Sequence, residues 1–381
     1  MARATRTTKT TKKPRKLKPK THGIDFIMLF CVIMLLIFGT VMVFSASTYS
    51  AFVRHGDAFY FVRPQFMWMT LGLFGLIVMA SIDYRRLKKF AVIGYVVSIV
   101  LLILVLIPFI GIEVNGARRW LGFGALRFQP SELSKITLII FMAFFLSRYR
   151  EILNKYKGFL LCLAIVVLPT FLILLENLST AIVVVAIGSS IIFLMTPKQW
   201  HFLPMAIPGV IGVAAGVLLF PHRIARIQSW LDPFADPLGG GFQTVQSLLA
   251  IGSGGLFGLG LGNSRQKQGF IPESHNDIIF SIVCEELGLV GAALLLCLFA
   301  VLIWRILKTA MASTDLFGCI VSYGAAIMIG VQVLINVAVV TNTIPNTGMP
   351  LPFISYGGSS LTLLLGLMGI VLSVSRYNKE Y

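Results

Sequence analysis

Residues 24–46 of the chain read IDFIMLFCVIMLLIFGTVMVFSA, and Asp25 is the only charged residue in this run. About 20 apolar residues cross the hydrocarbon core of a bilayer as a helix, so the run predicts a transmembrane span. It is longer than the apolar region of a signal peptide, and no small-residue cleavage pattern follows it. We therefore expect an uncleaved first span.

The segment before this span, residues 1–22, contains nine Lys or Arg and no acidic residue. Such a segment cannot bury a core, so it is predicted to be a disordered basic tail on the cytoplasmic side. The sequence does not decide whether this tail binds another protein or anionic lipids, which attract basic segments near a membrane.

The composition of the whole chain agrees with a membrane protein. Of its 381 residues, 57% are hydrophobic and 12% are charged, with a net charge of +17. Soluble proteins carry about 25% charged residues, so an ordinary soluble enzyme is excluded. Nucleic-acid-binding proteins spread basic residues through a polar chain, so no nucleic-acid partner is expected. The five cysteines lie singly in apolar runs, which indicates packing rather than a disulfide or a zinc site.

The predicted fold class is an all-α polytopic membrane protein, in which residues 23–381 form a single ten-helix domain. The ten predicted spans lie at 24–46, 65–82, 91–112, 133–149, 158–175, 180–196, 202–220, 278–304, 316–341 and 359–375.

The orientation follows from the basic residues, since short cytoplasmic loops are rich in Lys and Arg. With both termini cytoplasmic, every basic cluster between spans falls on the inner side, and the whole charge of +17 lies there. Acidic and basic residues balance over the rest of the chain. The outer loops are then 47–64, 113–132, 221–277 and 342–358. The loop at 221–277, between spans 7 and 8, is the largest, and its apolar piece Leu248–Leu261 suits an interfacial or re-entrant helix.

Two outer loops contain basic residues that are candidates for substrate binding: the loop at 113–132 and the loop at 221–277, which contains Arg223 and Arg226. Arg118 and Arg119 beside Trp120 can hold a phosphate in a bidentate manner, or the three can anchor the loop at the headgroup level. The sequence leaves both open. Pro130-Ser131-Glu132 is typical of a helix start, with Ser131 and Glu132 in capping positions.

Asp277 is the most informative acidic residue, because it lies at the outer end of the eighth span with Glu273 and His275 just before it. Its carboxylate can act as a general base, bind a divalent metal, or cap the following helix. Glu285 and Glu286 lie deeper in the same apolar run, where ionisable groups are costly and are functional candidates or paired. Lys135 and Arg119 are candidate partners for them.

The loop at 342–358, here called the proline loop, contains three prolines and is predicted to follow a rigid, non-helical path. Irregular backbone at membrane depth is tolerated where it is buried or lines a cavity. Gln332 and Asn336, four residues apart on one helix face, approach it.

Several motifs together resemble the signatures of the SEDS family (shape, elongation, division and sporulation), which includes RodA, FtsW and SpoVE. They are Asn115–Trp120 with Gln129–Glu132, Pro272–Asp277 leading into Glu285–Gly288, and Leu351–Ser360. The run Gly260–Ser264 with Gln266-Lys267 resembles the FtsW/SpoVE branch more than RodA. Two motifs depart from the family pattern: Glu176–Thr180 replaces Pro-Asp-Leu-Gly-Thr, and Asn276-Asp277-Ile278 replaces Thr-Asp-Phe but keeps the aspartate.

The resemblance implies a peptidoglycan glycosyltransferase of the bacterial cytoplasmic membrane that polymerises lipid II on the outer face during division or sporulation. It implies a class B penicillin-binding protein as partner, with other divisome or sporulation proteins. It also implies that Asp277 is catalytic.

On that basis we expect an inverting displacement of undecaprenyl diphosphate, with Asp277 as the base and cationic side chains at the diphosphate. A divalent cation such as Mg²⁺ or Mn²⁺ stays open. The rival hypotheses are a lipid II transporter and a non-catalytic scaffold for the transpeptidase. The predicted substrate-binding residues are Arg118, Arg119, Trp120, Lys135, Arg223, Arg226, Glu273, His275, Ser355 and Tyr356.

Overall fold

The protein is a bundle of long apolar helices with smaller elements in its loops. The computed structural model describes residues 23–114, 117–123, 126–197, 199–202, 221–269 and 274–378, and the single positions 204, 209, 212, 214 and 218. The described helices are α1 Phe26–His55, α2 Val62–Ser81, α3 Ala91–Leu106, α4 Pro130–Arg148, α5 Tyr156–Glu176, α6 Leu178–Met195, α7 Pro221–Leu231, α8 Phe242–Gly254, α9 Ile279–Met311, α10 Leu316–Val340 and α11 Gly358–Arg376.

Eight of these helices are long and apolar enough to cross a membrane: α1, α2, α4, α5, α6, α9, α10 and α11. The predicted span at 91–112 corresponds to the shorter apolar helix α3. The predicted span at 202–220 and the basic tail at 1–22 lie largely or wholly outside the described residues. The count of ten spans therefore stays a prediction.

The outward faces of the bundle are apolar. Within α9, the most apolar stretch has a mean hydropathy of 2.7, yet only 28% of it is buried in the protein. Side chains such as Leu289, Leu294 and Trp304 are exposed there. An apolar surface of this length would be unfavourable in water, and lipid accommodates it.

The loop between α3 and α4 corrects the all-α prediction. It forms a three-stranded antiparallel sheet of β1 Ile112–Val114, β2 Ala117–Phe123 and β3 Leu126–Phe128. Val114 pairs with Ala117 and Phe123 pairs with Leu126, so two residues separate each pair of strands. Asn-Gly at 115–116 is the sequence signal for such a hairpin.

At its N-terminal end, α1 is fastened by the one charged residue of its apolar run. Asp25 caps the helix by accepting a hydrogen bond from the Met28 amide at 3.0 Å. Its carboxylate also pairs with Arg305 of α9 at 2.8 Å, and both side chains are buried. A buried carboxylate is tolerated here because hydrogen bonds and an opposite charge satisfy it.

Helix α9 is broken inside its apolar run. Gly288 has φ 68° and ψ −169°, a backbone conformation that essentially only glycine adopts. The chain after α8 fills the break: the Leu259 and Gly260 amides donate to the carbonyls of Glu285 and Glu286, each at 2.9 Å. The segment predicted as interfacial or re-entrant thus packs into α9, where it satisfies carbonyls that the break leaves open.

Candidate active site

The proline loop is the meeting point of elements distant in sequence. Its Gly357 amide donates to Gln65 of α2 at 3.2 Å. Its Asn346 side chain donates to Gln243 of α8 at 2.8 Å. Trp230 of α7 donates to the carbonyl of Asn342 at 3.0 Å. The predicted irregular path is therefore held by side chains of three helices.

Asp277 lies against this loop. Its carboxylate is half-buried, and a Cβ placed on Gly348 would lie 3.5 Å from its Oδ2 atom. Gly348 has φ +67° and is itself exposed, so the carboxylate borders an accessible part of the loop. The N-cap of α9 is Ile278, one residue later than the capping position considered for Asp277. The arrangement suits a carboxylate that meets a ligand from solution.

Three arginines form a cluster beside Glu176, the last residue of α5. Arg119 of β2 donates to the Glu176 carbonyl at 2.9 Å, and Arg223 of α7 donates to the Leu174 carbonyl at 2.7 Å. Burial lowers the pKa of the Arg119 guanidinium, the positive charge of Arg226 lowers it further, and Glu176 opposes this. Burial and Arg226 likewise lower the pKa of Arg223. Cations that repel one another in this way favour binding of an anion.

The arginine cluster and Asp277 are connected through the proline loop. Arg226, an exposed residue, donates to the carbonyl of Asn346 at 3.4 Å, two residues before Gly348. Ser179 of α6 donates to the carbonyl of Thr347 between them. The base candidate and the anion-binding candidates therefore border the same short segment of the loop.

The other predicted substrate residues are distributed differently. Lys135 is fully buried, with its Nζ atom 2.8 Å from Glu132 in the first turn of α4. Arg118 pairs with Glu113 at 3.3 Å in the sheet between α3 and α4, where Trp120 is half-buried. Ser355 and Tyr356 contact the segment before Asp277, and Glu273 lies outside the described residues. Gln129 is the N-cap of α4, so neither Ser131 nor Glu132 occupies that position.

Glu285 and Glu286 are fully buried, and neither Lys135 nor Arg119 is their partner. Lys267 donates to Glu286 at 2.7 Å, and Ser45 of α1 donates to the same carboxylate at 2.7 Å. Glu285 accepts from the Arg265 amide at 2.9 Å and from the Ser264 hydroxyl. Two buried acids thus fasten residues 264–267 of the long loop to α9.

His275 has an environment that makes a pH dependence testable. Its ring packs 4.3 Å from Phe61 and 5.5 Å from Tyr356, centroid to centroid. Burial, with a smaller effect of the Arg54 charge, lowers its pKa to about 4. Between pH 6.5 and 4 the unfolded chain binds a proton at this position and the folded chain does not, so stability falls as the pH is lowered through that range.

We expect the thermal unfolding midpoint of the purified protein to drop over that pH range, and to drop less in His275→Phe. The phenyl ring keeps the contacts with Phe61 and Tyr356 but cannot be protonated. An equal loss of stability in His275→Phe and wild type would assign the acid sensitivity to other groups.

The chain matches one family model along nearly its whole length, and it also matches many known proteins. The model, described as cell cycle protein of the FtsW, RodA and SpoVE type, matches residues 26–380. Stage V sporulation protein E of Bacillus subtilis is 42% identical over 363 residues, covering 94% of this chain and 99% of the relative. A probable peptidoglycan glycosyltransferase FtsW of Geobacter sp. (strain M18) is 37% identical over 358 residues, covering 93% and 98%.

Two solved structures share the fold. A chain of a peptidoglycan synthase complex superposes with a TM-score of 0.77 at 31% identity, covering 94% of this chain and 99% of that chain. The rod shape determining protein RodA of Thermus thermophilus superposes with a TM-score of 0.69 at 30% identity, covering 94% and 98%. With its apolar helices, this chain is a multi-pass membrane protein, and it belongs to the FtsW/RodA/SpoVE family.

Proposed function

We propose that this chain is a peptidoglycan glycosyltransferase that polymerises lipid II at the outer face of the bacterial cytoplasmic membrane. The observation that carries the proposal is the position of the Asp277 carboxylate, which borders Gly348 while an arginine cluster contacts the same loop at Asn346. A base beside an anion-binding cluster suits transfer of a sugar from a diphosphate. Relatives that share 37 to 38% of their residues with this chain are named as glycosyltransferases of this kind.

The proposed topology is ten spans in one domain of residues 23–381, with both termini cytoplasmic and the loop at 221–277 outside. The seventh span then lies within residues 202–220. The distribution of Lys and Arg supports this orientation, because it puts the whole net charge on the inner side. The catalytic residues fall on the outer side in this arrangement.

In the proposed reaction, Asp277 accepts the proton of an acceptor sugar hydroxyl while that oxygen attacks the anomeric carbon of the donor. The new carbon–oxygen bond forms as the bond to the diphosphate oxygen breaks, and undecaprenyl diphosphate leaves with the bonding electrons. Arg119, Arg223 and Arg226 stabilise the negative charge that develops on the leaving group. Attack on the face opposite the diphosphate inverts the anomeric centre.

No step of this mechanism is assigned to a metal ion. Among the residues that the structure describes, no group of three or more His, Cys, Asp or Glu side chains is arranged to hold one. The arginine cluster supplies positive charge at the diphosphate, and a Mg²⁺ ion carried by the diphosphate oxygens is compatible with it, because such an ion needs only one or two protein carboxylates.

A penicillin-binding protein of class B is the proposed partner, in a division or sporulation assembly of the FtsW/SpoVE type. A related chain was solved within a peptidoglycan synthase complex that coordinates polymerization and crosslinking. The basic tail at 1–22 is proposed to bind anionic lipid or a cytoplasmic protein.

The test of the function is polymerisation of lipid II by the purified chain with its partner, read as glycan strands on a gel. A lipid II transporter would instead move the lipid between the leaflets of a vesicle without forming glycosidic bonds. A scaffold would assemble with its partner but would neither form glycan strands nor move lipid II between the leaflets. Either result would overturn the proposed activity.

Substitution of Arg119 tests whether the arginine cluster binds the diphosphate of the leaving group. We expect Arg119→Ala to lower kcat/KM for lipid II by about 10- to 100-fold, because a hydrogen bond to a charged group contributes about 1.5 to 3 kcal/mol and this one strengthens as charge develops on the leaving group. Arg127→Ala, an exposed arginine on β3 of the same sheet, is the matched control and should behave as wild type. Equal effects of the two substitutions would remove Arg119 from the diphosphate site.

A further inference from the structure

The backbone that carries Asp277 is held at three consecutive carbonyls. The His275 carbonyl accepts from the Tyr356 amide at 2.9 Å. The Asn276 carbonyl accepts from the Ser355 hydroxyl at 2.6 Å. The Asp277 carbonyl accepts from the side-chain amide of Asn336 at 2.6 Å. Residues 275–277 precede α9 and lie in no helix or strand, so these donors fix peptide planes that regular structure leaves unset.

Asn336 of α10 differs from the other two donors, because Ser355 and Tyr356 belong to the proline loop itself, whereas Asn336 bridges the loop and the Asp277 backbone from a third element. The same Nδ2 atom that donates to Asp277 also donates to the Met349 carbonyl at 2.7 Å. Met349 follows Gly348, the residue that faces the Asp277 carboxylate. One planar amide thus ties the Asp277 carbonyl to the part of the loop that borders its carboxylate.

The chemistry of Asn336 explains why an asparagine is needed there. Its side chain is fully buried, and a carboxamide carries two N–H donors on one nitrogen, which match two carbonyl acceptors. A carboxylate of the same shape would turn acceptor oxygens toward both carbonyls, and an apolar side chain would leave both carbonyls without this donor.

We propose that Asn336 is a positioning residue for the transfer reaction: by bridging the Asp277 and Met349 carbonyls, it holds the carboxylate at the distance from the proline loop at which an acceptor hydroxyl can be deprotonated. The proposal rests on Asp277 being the base. A misplacement of about 1 Å in a reacting group can cost about 100-fold in rate, so loss of the bridge lowers the maximal rate more than substrate binding.

The experiment compares Asn336→Asp and Asn336→Leu in the full chain with its partner. We expect the rate at saturating lipid II to fall by about 100-fold in both, with the half-saturating concentration changing by less than about threefold. The matched control is Asn378→Asp. Asn378 is also fully buried, donates from Nδ2 to the Thr309 carbonyl at 3.0 Å, and has a buried Oδ1 atom without a hydrogen-bond partner, as Asn336 does.

A wild-type maximal rate in Asn336→Leu overturns the proposal, as does a loss in Asn378→Asp equal to that in Asn336→Asp. Asp277→Asn in the same assay distinguishes failure of the positioning proposal from failure of the proposed function. If Asp277→Asn is active, Asp277 is not the base. If neither Asn336 variant is recovered folded, Ser355→Ala removes the donor to the adjacent carbonyl. A lower maximal rate with an unchanged half-saturating concentration then supports positioning of this backbone, and a wild-type maximal rate overturns it.

Discussion

Asp277→Asn is expected to reduce lipid II polymerisation by about 100- to 10,000-fold, the range that a positioned general base contributes. The amide has the size of the carboxylate but cannot accept the proton of the acceptor hydroxyl. Because the Asp277 carboxylate is half-buried beside the exposed Gly348, the substitution changes the reacting group with little change in packing. The measurement is the initial rate of glycan strand formation by the purified complex.

Asp57→Asn is the matched control for this substitution. Asp57 is a partly exposed carboxylate in the loop between α1 and α2, and it pairs with Arg63 at 3.0 Å. Exposed ion pairs of this kind contribute about 1 kcal/mol or less, so the variant should polymerise lipid II as the wild type does. Normal glycan strands from Asp277→Asn would remove the carboxylate from the mechanism, whatever the effect of the control.

Two further outcomes would separate the competing functions. A transporter would keep its transbilayer activity in Asp277→Asn if the carboxylate has no part in lipid movement. A scaffold would support growth of cells carrying the variant whenever the complex assembles. The proposed enzyme predicts assembly without growth, because the complex forms but makes no glycan strands.

The helices of this protein were predictable because a transmembrane span has a local signal. The run at 24–46 begins within two residues of α1, and the run at 316–341 ends one residue beyond α10. The sheet between α3 and α4 does not follow from the sequence pattern, since its two outer strands have only three residues each and β2, Ala117–Phe123, does not alternate strictly between apolar and polar residues. The break at Gly288 was hidden for a related reason: the residues on both sides are apolar, so the run reads as one helix.

The charged residues of the candidate site stand out in the sequence, but the contacts between them do not. Asp277 and the arginines stand out because charged groups are rare near apolar runs. The sequence indicates only that Asn336 approaches the proline loop, because its double contact with Asp277 and Met349 depends on the packing of α10. Glu286 has Lys267 as a partner 19 residues away and Ser45 as another 241 residues away. No local pattern selects such partners.

The ion pair of Lys267 and Glu286 joins the long loop to α9. Asp277 lies two residues before the start of the same helix. Lys267 is 7% exposed and Glu286 is fully buried, with 2.7 Å between Nζ and Oε1. The Ser45 hydroxyl lies 3.0 Å from the same Nζ atom and donates to the carboxylate, so α1, α9 and the long loop meet at one ion pair. Loss of one partner would leave a buried charge without its opposite.

Lys267→Met is therefore expected to destabilise the protein by about 3 to 5 kcal/mol, the cost of breaking a buried ion pair by removing one partner. The double variant Lys267→Met with Glu286→Gln should recover at least half of this loss, because no unpaired charge remains. Unfolding in mixed micelles titrated with sodium dodecyl sulfate measures both. Arg63→Met, which breaks the exposed pair with Asp57, should change stability by about 1 kcal/mol or less. If Lys267→Met unfolds at the same detergent fraction as Arg63→Met, the buried pair does not anchor the long loop to α9.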